Sequence, residues 1–415
     1  MASTDVDIRA ALIERYQRNR RRSANLFALL ADEAYYNQPI ALRHPIVFYD
    51  GHLPGFSFNT LVKKALGRPG IDARLETLFA RGIDPHESST GASGARASAW
   101  PSRHEVRAFA DEADRQVIDA LTNAELDRPD HPLLDRMQAV HAILEHEEMH
   151  QETLLYMWHR LPASDKTAPD GYAPFVAGVA PSQEWIDVPG GCATLGIARD
   201  AIPFGWDNEH PAHVETVPRF RIERHDVTNA RFMDFVDAGG YRDPRWWNAA
   251  DWAWIQEERQ THPRFWEREA DTWYWRGMFG RIPLPPSWPV YVSLAEASAF
   301  ARWSDARLPT EAEFQRAAYG SPAGERRHPW GDAEPRPEHG LFDFAAFESA
   351  SGRFTPAGGE RLGCGGSRRQ RMGMDQHSVR AVSRLHTAVV VSGVLGRLLR
   401  WRTLRDEGGV ACHRA

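Results

Sequence analysis

The sequence has little lysine, little cysteine and no long apolar segment. Lysine occurs only at positions 63, 64 and 166, so almost all of the positive charge is arginine. The formal net charge of −6 gives no reason to expect nucleic acid as the main partner. No apolar run approaches the length of a membrane span, and the polar first ten residues are not followed by the apolar core of a signal peptide. We therefore expect a cytoplasmic protein with no membrane partner.

The cysteine content and the overall composition also favour a cytoplasmic protein. Cys192, Cys364 and Cys412 are few and far apart, which fits a reducing compartment and offers no disulfide framework. The 415 residues are 42% hydrophobic and 26% charged, as in an ordinary soluble globular protein. This length predicts two domains, or three. The sequence does not predict an oligomeric state.

The most informative stretch is a predicted helix over residues 133–161. Pro132 suits a first turn, Asp130 can cap it, and Pro162 ends it. His146 and His150 are four residues apart, so their side chains leave the same face of the helix. Two imidazoles at this spacing can bind one divalent metal ion. The alternative is a pair of surface histidines on a charged helix.

Three further helices are predicted before this one. Periodic apolar residues favour a first helix over about residues 5–33, and a turn near His52 leads into a second helix that ends near residue 66. Residues 81–103 are rich in serine, glycine and alanine and are predicted to form a loop, followed by a third helix over about 104–121. Four helices with an inward-facing histidine pair describe a bundle with a metal site in its core.

The amino-acid composition and the pattern of apolar residues change after residue 165. Residues 166–183 are rich in proline, alanine and glycine and are assigned to a linker. Beyond it, short apolar segments broken by glycine and proline predict an α+β domain, with helical periodicity returning at 293–301 and 311–318. Eight of the fifteen tryptophans lie between Trp246 and Trp288, and we expect them to form a core rather than a ligand site.

Two groups of motifs resemble a known family. DGHLPGFSFN and, much later, HEEMHQETL resemble the iron site of the DinB-like four-helix bundle in the sulfoxide synthases of ergothioneine biosynthesis. VPGG, FGWDNEHPAHVETVPRFRIERHDVTNARFMDFV, WPVYVS and ARLPTEAEFQRAA resemble the C-type-lectin-like fold of formylglycine-generating enzymes. The resemblance implies a multidomain α and α+β protein: a bundle over 1–165, a linker over 166–183, and a lectin-like domain over 184–358 that is incomplete at its C-terminus. A reactive cysteine pair for formylglycine generation is not recognised.

The resemblance also implies a metal site and a reaction. The iron ligands would be His52, His146 and His150, three neutral imidazoles that leave positions on Fe(II) for oxygen and substrates. In the family, a histidine betaine and a cysteine-type thiol bind at the iron, and O₂ drives carbon–sulfur bond formation and oxidation of the sulfur. Glu147 and Glu148 are candidates to orient the ligands, with solvation as the alternative. No catalytic acid is identified, and the sulfur or selenium donor stays open.

Residues 359–415 do not continue the family pattern. From residue 351 onward there are twelve arginines, no lysine, four acidic residues and only two aromatic residues. A basic tail and a nucleic-acid- or membrane-binding extension are the direct interpretations. A third interpretation rests on the genetic code. Because methionine has only the codon ATG, Met372-Gly373-Met374-Asp375 must be encoded by ATG GGN ATG GAY. If the reading frame starts one base later, the same bases read TGG GNA TGG, which encodes Trp-x-Trp. With suitable codons, residues 369–374 become G-N-G-W-E-W, the motif that the fold expects next.

We therefore hypothesise a frameshift near residues 358–360, in the gene or in its reading. It would remove residues that the resemblance places over the iron, and the chain as written would then be inactive.

Two other functions stay open. His-Glu-x-x-His on a helix is also the motif of zinc metallohydrolases, with Glu147 as general base, although that class expects its third ligand after the helix. The other is a non-catalytic binding module with an empty metal site.

Overall fold

The computed structural model describes residues 2–81, 100–174 and 178–336, together with residues 339 and 347. The chain divides into two compact units between Tyr172 and Ala173, inside the segment that the sequence assigns to a linker. The predicted loop at 81–103 lies largely outside the described residues, and the predicted tail at 359–415 lies wholly outside them. Among the described helices, none combines the length and the apolarity needed to cross a membrane.

The first unit is helical. Its helices are α1 (Ala2–Ala28), α2 (Ile46–Ser57, continuing as a wider π-helical segment over Phe58–Ala65), α3 (Ala73–Phe79), α4 (Arg103–Asn123) and α5 (Gln138–Arg160). Short 3₁₀ turns cover Asp32–Tyr36, Asp135–Met137 and Ala163–Asp165. One apolar core joins α1, α2 with its wider extension, α4 and α5, and includes Tyr16, Phe58, Val117 and Ile143. The predicted helical bundle is confirmed.

Helix α2 shows how packing overrides local preference. Its sequence, IVFYDGHLPGFS, holds two glycines and a proline, which are the poorest helix formers. Nearly every one of its residues is nevertheless buried, including Pro54 inside the helix. Tertiary contacts therefore stabilise the helix. His52 lies in the middle of α2, and the predicted turn at this position is wrong.

The predicted start of the long helix is also wrong. Arg136 and Met137 have φ of 53° and 56°, in the left-handed region, so α5 begins at Gln138 rather than near residue 133. The backbone N–H of Arg136 donates to the Asp127 carboxylate at 2.9 Å, which supports this turn. Asp130 therefore does not cap the helix. The first helix is likewise shorter than predicted at its end, because it stops at Ala28.

The second unit combines helices with short antiparallel strands, which confirms the predicted α+β class. Its strands are β1 (Trp185–Val188), β2 (Gly191–Leu195), β3 (His213–Val217), β4 (Phe220–Glu223), β5 (Trp266–Glu269), β6 (Thr272–Arg276), β7 (Arg281–Pro283), β8 (Gly320–Ser321) and β9 (Gly324–Glu325). β1 pairs with β4, β2 with β3, β6 with both β5 and β7, and β8 with β9. In the register of the β5–β6 pair, Trp266 lies opposite Trp275.

Among the described residues of this unit, four α-helices accompany these strands: α6 (Asn229–Asp237), α7 (Ala249–Glu257), α8 (Leu294–Trp303) and α9 (Glu311–Tyr319). The two that the sequence predicted, α8 and α9, both begin with a capping box, at Ser293 and Thr310. α6 and α7, each nine residues long, are not among the helices that the sequence predicts.

The eight tryptophans between Trp246 and Trp288 lie in or against the core of the second unit, as predicted. Trp247, Trp266, Trp275 and Trp288 are buried in one cluster with Phe232 and Phe235. Trp275 lies 6.3 Å from Trp288 between ring centroids, in an edge-to-face arrangement that aromatic rings favour. The cysteines differ from expectation, because Cys192 on β2 is disulfide-bonded.

Candidate metal centre

The structure brings His52, His146 and His150 together in the first unit. His146 and His150 project from successive turns of α5, and His52 projects towards them from α2. One ring nitrogen from each lies within 4.8 Å of the others, and all three side chains are buried. Within the described residues, this is the only group of three or more metal-binding side chains with that geometry.

The distances within the triad suit a shared ion. The Nε2 atoms of His52 and His146 are 3.2 Å apart. Two nitrogens bonded to one ion at about 2.1 Å each would be roughly 3.0–3.4 Å apart, depending on the coordination geometry. The ring centroid of His150 lies 4.4 Å from that of His146 and 5.0 Å from that of His52. The residues present therefore fit a mononuclear metal ion.

A backbone contact fixes the tautomer of His52. Its Nδ1 atom lies 2.6 Å from the carbonyl oxygen of Phe79, at the end of α3. A carbonyl oxygen can only accept, so Nδ1 carries the proton and Nε2 presents a lone pair towards His146. Hydrogen bonding of the distal nitrogen to a carbonyl group is typical of metal-binding histidines.

Burial keeps the three imidazoles neutral. It lowers the pKa of His52 to about 4, although the hydrogen bond to the Phe79 carbonyl opposes this shift. Burial also holds the pKa values of His146 and His150 well below the ordinary range, and the neighbouring histidines of the triad add to this effect. The Nδ1 atoms of His146 and His150 are buried without a hydrogen-bond partner in the described part of the chain. Neutral imidazole is the form that binds metal ions.

Glu147 and Glu148 do not accept a hydrogen bond from the ligand imidazoles, which corrects the expectation from the sequence that they act directly on the ligands. Successive residues of a helix point about 100° apart, so these carboxylates leave α5 on other faces. Glu147 accepts hydrogen bonds from Arg20 at 2.8 Å and from Ser23 at 2.7 Å, and Glu148 accepts from Arg15 at 2.9 Å. Both carboxylates therefore bind α1.

Aromatic side chains of α2 enclose the histidines. The ring of Phe56 stacks on His146 with centroids 3.5 Å apart and planes 9° apart, and Phe48 stacks on His52 at 4.8 Å. Tyr49 lies 5.8 Å from His150 between ring centroids. Sequence reasoning missed these residues, although their spacing of three or four from His52 identifies them once α2 is known to be helical.

The second unit contains a cleft with a partly apolar lining. It has a volume of about 500 Å³ and lies between β4, α8 and α9, with Phe220, Phe300 and Phe314 among its apolar lining. None of the three histidines lines it. We assign no chemistry to it.

A helical bundle that buries three neutral imidazoles, in a chain that continues into a tryptophan-rich α+β unit, defines a two-domain protein with a candidate metal centre in its first unit. Family models match both the helical unit and the α+β unit. Residues 15–154 match the DinB superfamily, and residues 175–361 match the sulfatase-modifying factor enzyme 1-like domain. The second match ends close to residue 358, after which the sequence departs from the expected pattern. The frameshift itself stays a prediction.

Several curated proteins are similar to parts of this chain. The chain is 40% identical over 201 residues to the hercynine oxygenase of Mycolicibacterium smegmatis, which covers 46% of this chain and 45% of the relative. It is 25% identical over 318 residues to ergothioneine biosynthesis protein 1 of Schizosaccharomyces pombe, which covers 69% of this chain and 39% of the relative. It is also 36% identical over 174 residues to the formylglycine-generating enzyme of Mycobacterium tuberculosis, covering 36% of this chain and 56% of that protein.

The chain therefore joins a region that matches the DinB superfamily to a region that matches the sulfatase-modifying factor enzyme 1-like domain, and it is similar to proteins named hercynine oxygenase and ergothioneine biosynthesis protein 1. The match spans less than half the length of the hercynine oxygenases.

Proposed function

We propose that this protein is a non-haem Fe(II), O₂-dependent sulfoxide synthase that joins a cysteine-type thiol to the imidazole of a histidine betaine. The three neutral imidazoles within 4.8 Å of one another are the observation that carries this proposal. The names of the hercynine oxygenase and ergothioneine relatives support the substrate class. The balanced reaction consumes one thiol S–H, one imidazole C–H and one O₂, and it yields the sulfoxide and one water.

His52, His146 and His150 would hold the iron, and the chain's other residues prepare the site. When bound, the metal supplies activation of oxygen and of the thiol sulfur. The Phe79 carbonyl holds the proton of His52 on Nδ1, so that Nε2 is available to the ion. Because all three ligands are uncharged, the ion keeps its positive charge and can attract a thiolate. Phe48 and Phe56 cover two imidazole faces and keep water from them.

A zinc hydrolase of the His-Glu-x-x-His type is less well supported. Such an enzyme needs Glu147 beside the metal-bound water as general base. Here the Glu147 side chain is 1% exposed and paired with Arg20 on α1. Burial raises the pKa of Glu147, and the charge of Arg20 opposes this shift. A binding module with an empty metal site is the remaining alternative.

The decisive experiment is anaerobic loading of the purified metal-free protein with Fe(II). Histidine betaine is then added with cysteine, γ-glutamylcysteine or a selenium donor, and air-saturated buffer starts the reaction. We expect a product whose mass contains both substrates and one oxygen atom. His52→Ala should abolish iron retention, whereas His141→Ala, on α5 but outside the triad, should not.

Other outcomes of this experiment would support the zinc hydrolase or the binding module instead. Preferential zinc binding with peptide cleavage would support the hydrolase, and failure to retain any metal would support the binding module. A protein that retains iron but forms no product should be compared with the frame-corrected chain, which restores the segment that the hypothesis regards as lost. If that chain also forms no product with any donor, the synthase proposal is wrong.

A further inference from the structure

Each ligand histidine of α5 is followed by a buried polar residue that is tied to α1. Glu147 follows His146, and Gln151 follows His150. We use the name polar seam for the two α5 residues and their partners on α1. Its members are Asn19, Arg20, Ser23, Glu147 and Gln151.

The seam is a continuous hydrogen-bond network. The Ser23 hydroxyl donates to Glu147 Oε1 at 2.7 Å and accepts from Gln151 Nε2 at 3.1 Å, so one side chain serves both α5 residues. Gln151 Nε2 also lies 2.9 Å from the backbone oxygen of Asn19, whose own amide donates to the Leu144 carbonyl at 3.2 Å. Arg20 Nη1 donates to Glu147 at 2.8 Å.

The same arginine ties the seam to a third helix. Arg20 Nε lies 3.0 Å from both carboxylate oxygens of Asp114 on α4, and the Tyr16 hydroxyl donates to Asp114 at 2.6 Å. The position of Glu147 is therefore defined relative to two helices rather than one. Contacts from two directions restrict both the rotation of α5 and its translation along its own axis.

Stability does not account for a network of this kind. Burying an ion pair costs desolvation energy, and well-packed apolar residues of similar volume are often as stable or more so. Two buried oxygen atoms of the seam, Asn19 Oδ1 and Glu147 Oε2, have no hydrogen-bond partner among the described residues, which adds to this cost. Buried polar groups that do not improve stability are in some proteins retained because they specify one arrangement of the helices.

We propose that the polar seam is a positioning device that fixes the rotation and axial placement of α5, so that His146 and His150 meet His52 at metal-binding distance. The inference rests on the metal site proposed above. Side chains reach about 5–6 Å from a helix axis, so a rotation of only 10° moves a ligand nitrogen by roughly 1 Å. Metal and catalytic sites require placement within about 0.5 Å. Loss of the seam should therefore change metal binding before it changes folding.

The test compares two double variants that act on the same helix pair. Arg20→Met with Glu147→Met removes the charged part of the seam. Arg15→Met with Glu148→Met removes the more exposed pair on another face, in which Arg15 is 28% exposed. Co(II), a spectroscopic probe for a divalent-ion site, is titrated into each metal-free full-length protein, and the visible absorption and the thermal midpoint are recorded.

We expect the seam variant to bind Co(II) 10–100-fold more weakly, in the range found when outer partners of metal ligands are removed. Its absorption bands should be shifted while its thermal midpoint stays close to that of the control. Unchanged affinity and spectrum relative to the control would overturn the inference. If the double variant does not fold, Ser23→Ala removes the hydroxyl shared by Glu147 and Gln151 and is measured against the same criterion.

The unaltered protein and His52→Ala separate the possible failures. If the unaltered protein takes up no Co(II), or if His52→Ala does not weaken uptake, the proposed metal site and the inference are both wrong. If uptake depends on His52 but not on the seam, the inference alone is wrong. Product formation with Fe(II) and oxygen tests the synthase proposal independently.

Discussion

Gly51→Ala is the sharpest test of how α2 presents His52. A Cβ atom at position 51 would lie within 2.5 Å of three ring carbons of Phe79. Ordinary carbon–carbon contacts are about 3.5–4.0 Å, so the ring must move by about 1 Å or more. Phe79 is fully buried, with Phe48 and Phe109 at 6.3 Å and 5.8 Å between ring centroids. We expect the enclosed ring to transmit this displacement to the backbone of α3.

The expected effect on stability is modest. Replacing glycine by alanine within a helix favours the helix by about 1 kcal/mol. Overpacking a dense core costs about 1–3 kcal/mol. The variant should therefore be destabilised by about 0–2 kcal/mol and should still fold.

The expected effect on metal binding is larger. The Phe79 carbonyl accepts from His52 Nδ1 at 2.6 Å, and a shift of 1 Å would stretch this contact beyond hydrogen-bond distance. Losing such a partner typically weakens metal affinity 10–100-fold. Co(II) titration and thermal unfolding measure the two effects separately.

Gly55→Ala is the matched control on the same helix, one turn later. A Cβ there would lie 3.3 Å from a Phe109 ring carbon and 3.4 Å from Phe79 Cβ, which needs adjustments of only a few tenths of an ångström. We expect this control to bind Co(II) as the unaltered protein does. The reasoning is refuted if Gly51→Ala matches the control in both affinity and thermal midpoint.

Three further predictions concern the second unit and the tail. Trp275→Ala should destabilise the second unit by about 3–5 kcal/mol in denaturant unfolding, because this tryptophan is 2% exposed in the aromatic core; a loss below about 1 kcal/mol would contradict that placement. Hydrogen bonding from Arg307 lowers the pKa of Glu313, so the stabilisation by this carboxylate is present above its ordinary pKa and lost as the pH falls through the lowered value. Glu313→Gln should therefore cost about 1 kcal/mol at pH 7, and this cost should shrink as the pH is lowered below the ordinary pKa of a glutamate, measured by thermal unfolding across that range; a cost that does not change with pH would refute the assignment. Resequencing the gene around codons 358–375 should reveal the frame change; if every codon is confirmed and no out-of-frame G-N-G-W-E-W is present, the hypothesis is wrong.

Local patterns determined a large part of this protein. The spacing of His146 and His150 depends only on helical periodicity, and a charged, apolar-striped segment without glycine predicts that helix. The capping sequences at Ser293 and Thr310 predict the starts of α8 and α9, because a cap satisfies backbone groups within one turn. The concentration of tryptophan predicts an aromatic core.

Only the tertiary structure decided the remaining features. His52 and His146 are separated by 94 residues, and nothing in the local chemistry of a segment with two glycines and a proline predicts a buried helix there. The start of α5 depends on the contact between Arg136 and Asp127, and the partners of Glu147 depend on which helix packs against that face. The sequence by itself determined that His146 and His150 can bind one metal ion, since that follows from spacing along one helix. Which residues meet across the bundle is decided by packing between helices distant in sequence, because burial of apolar faces, rather than local preference, sets that arrangement.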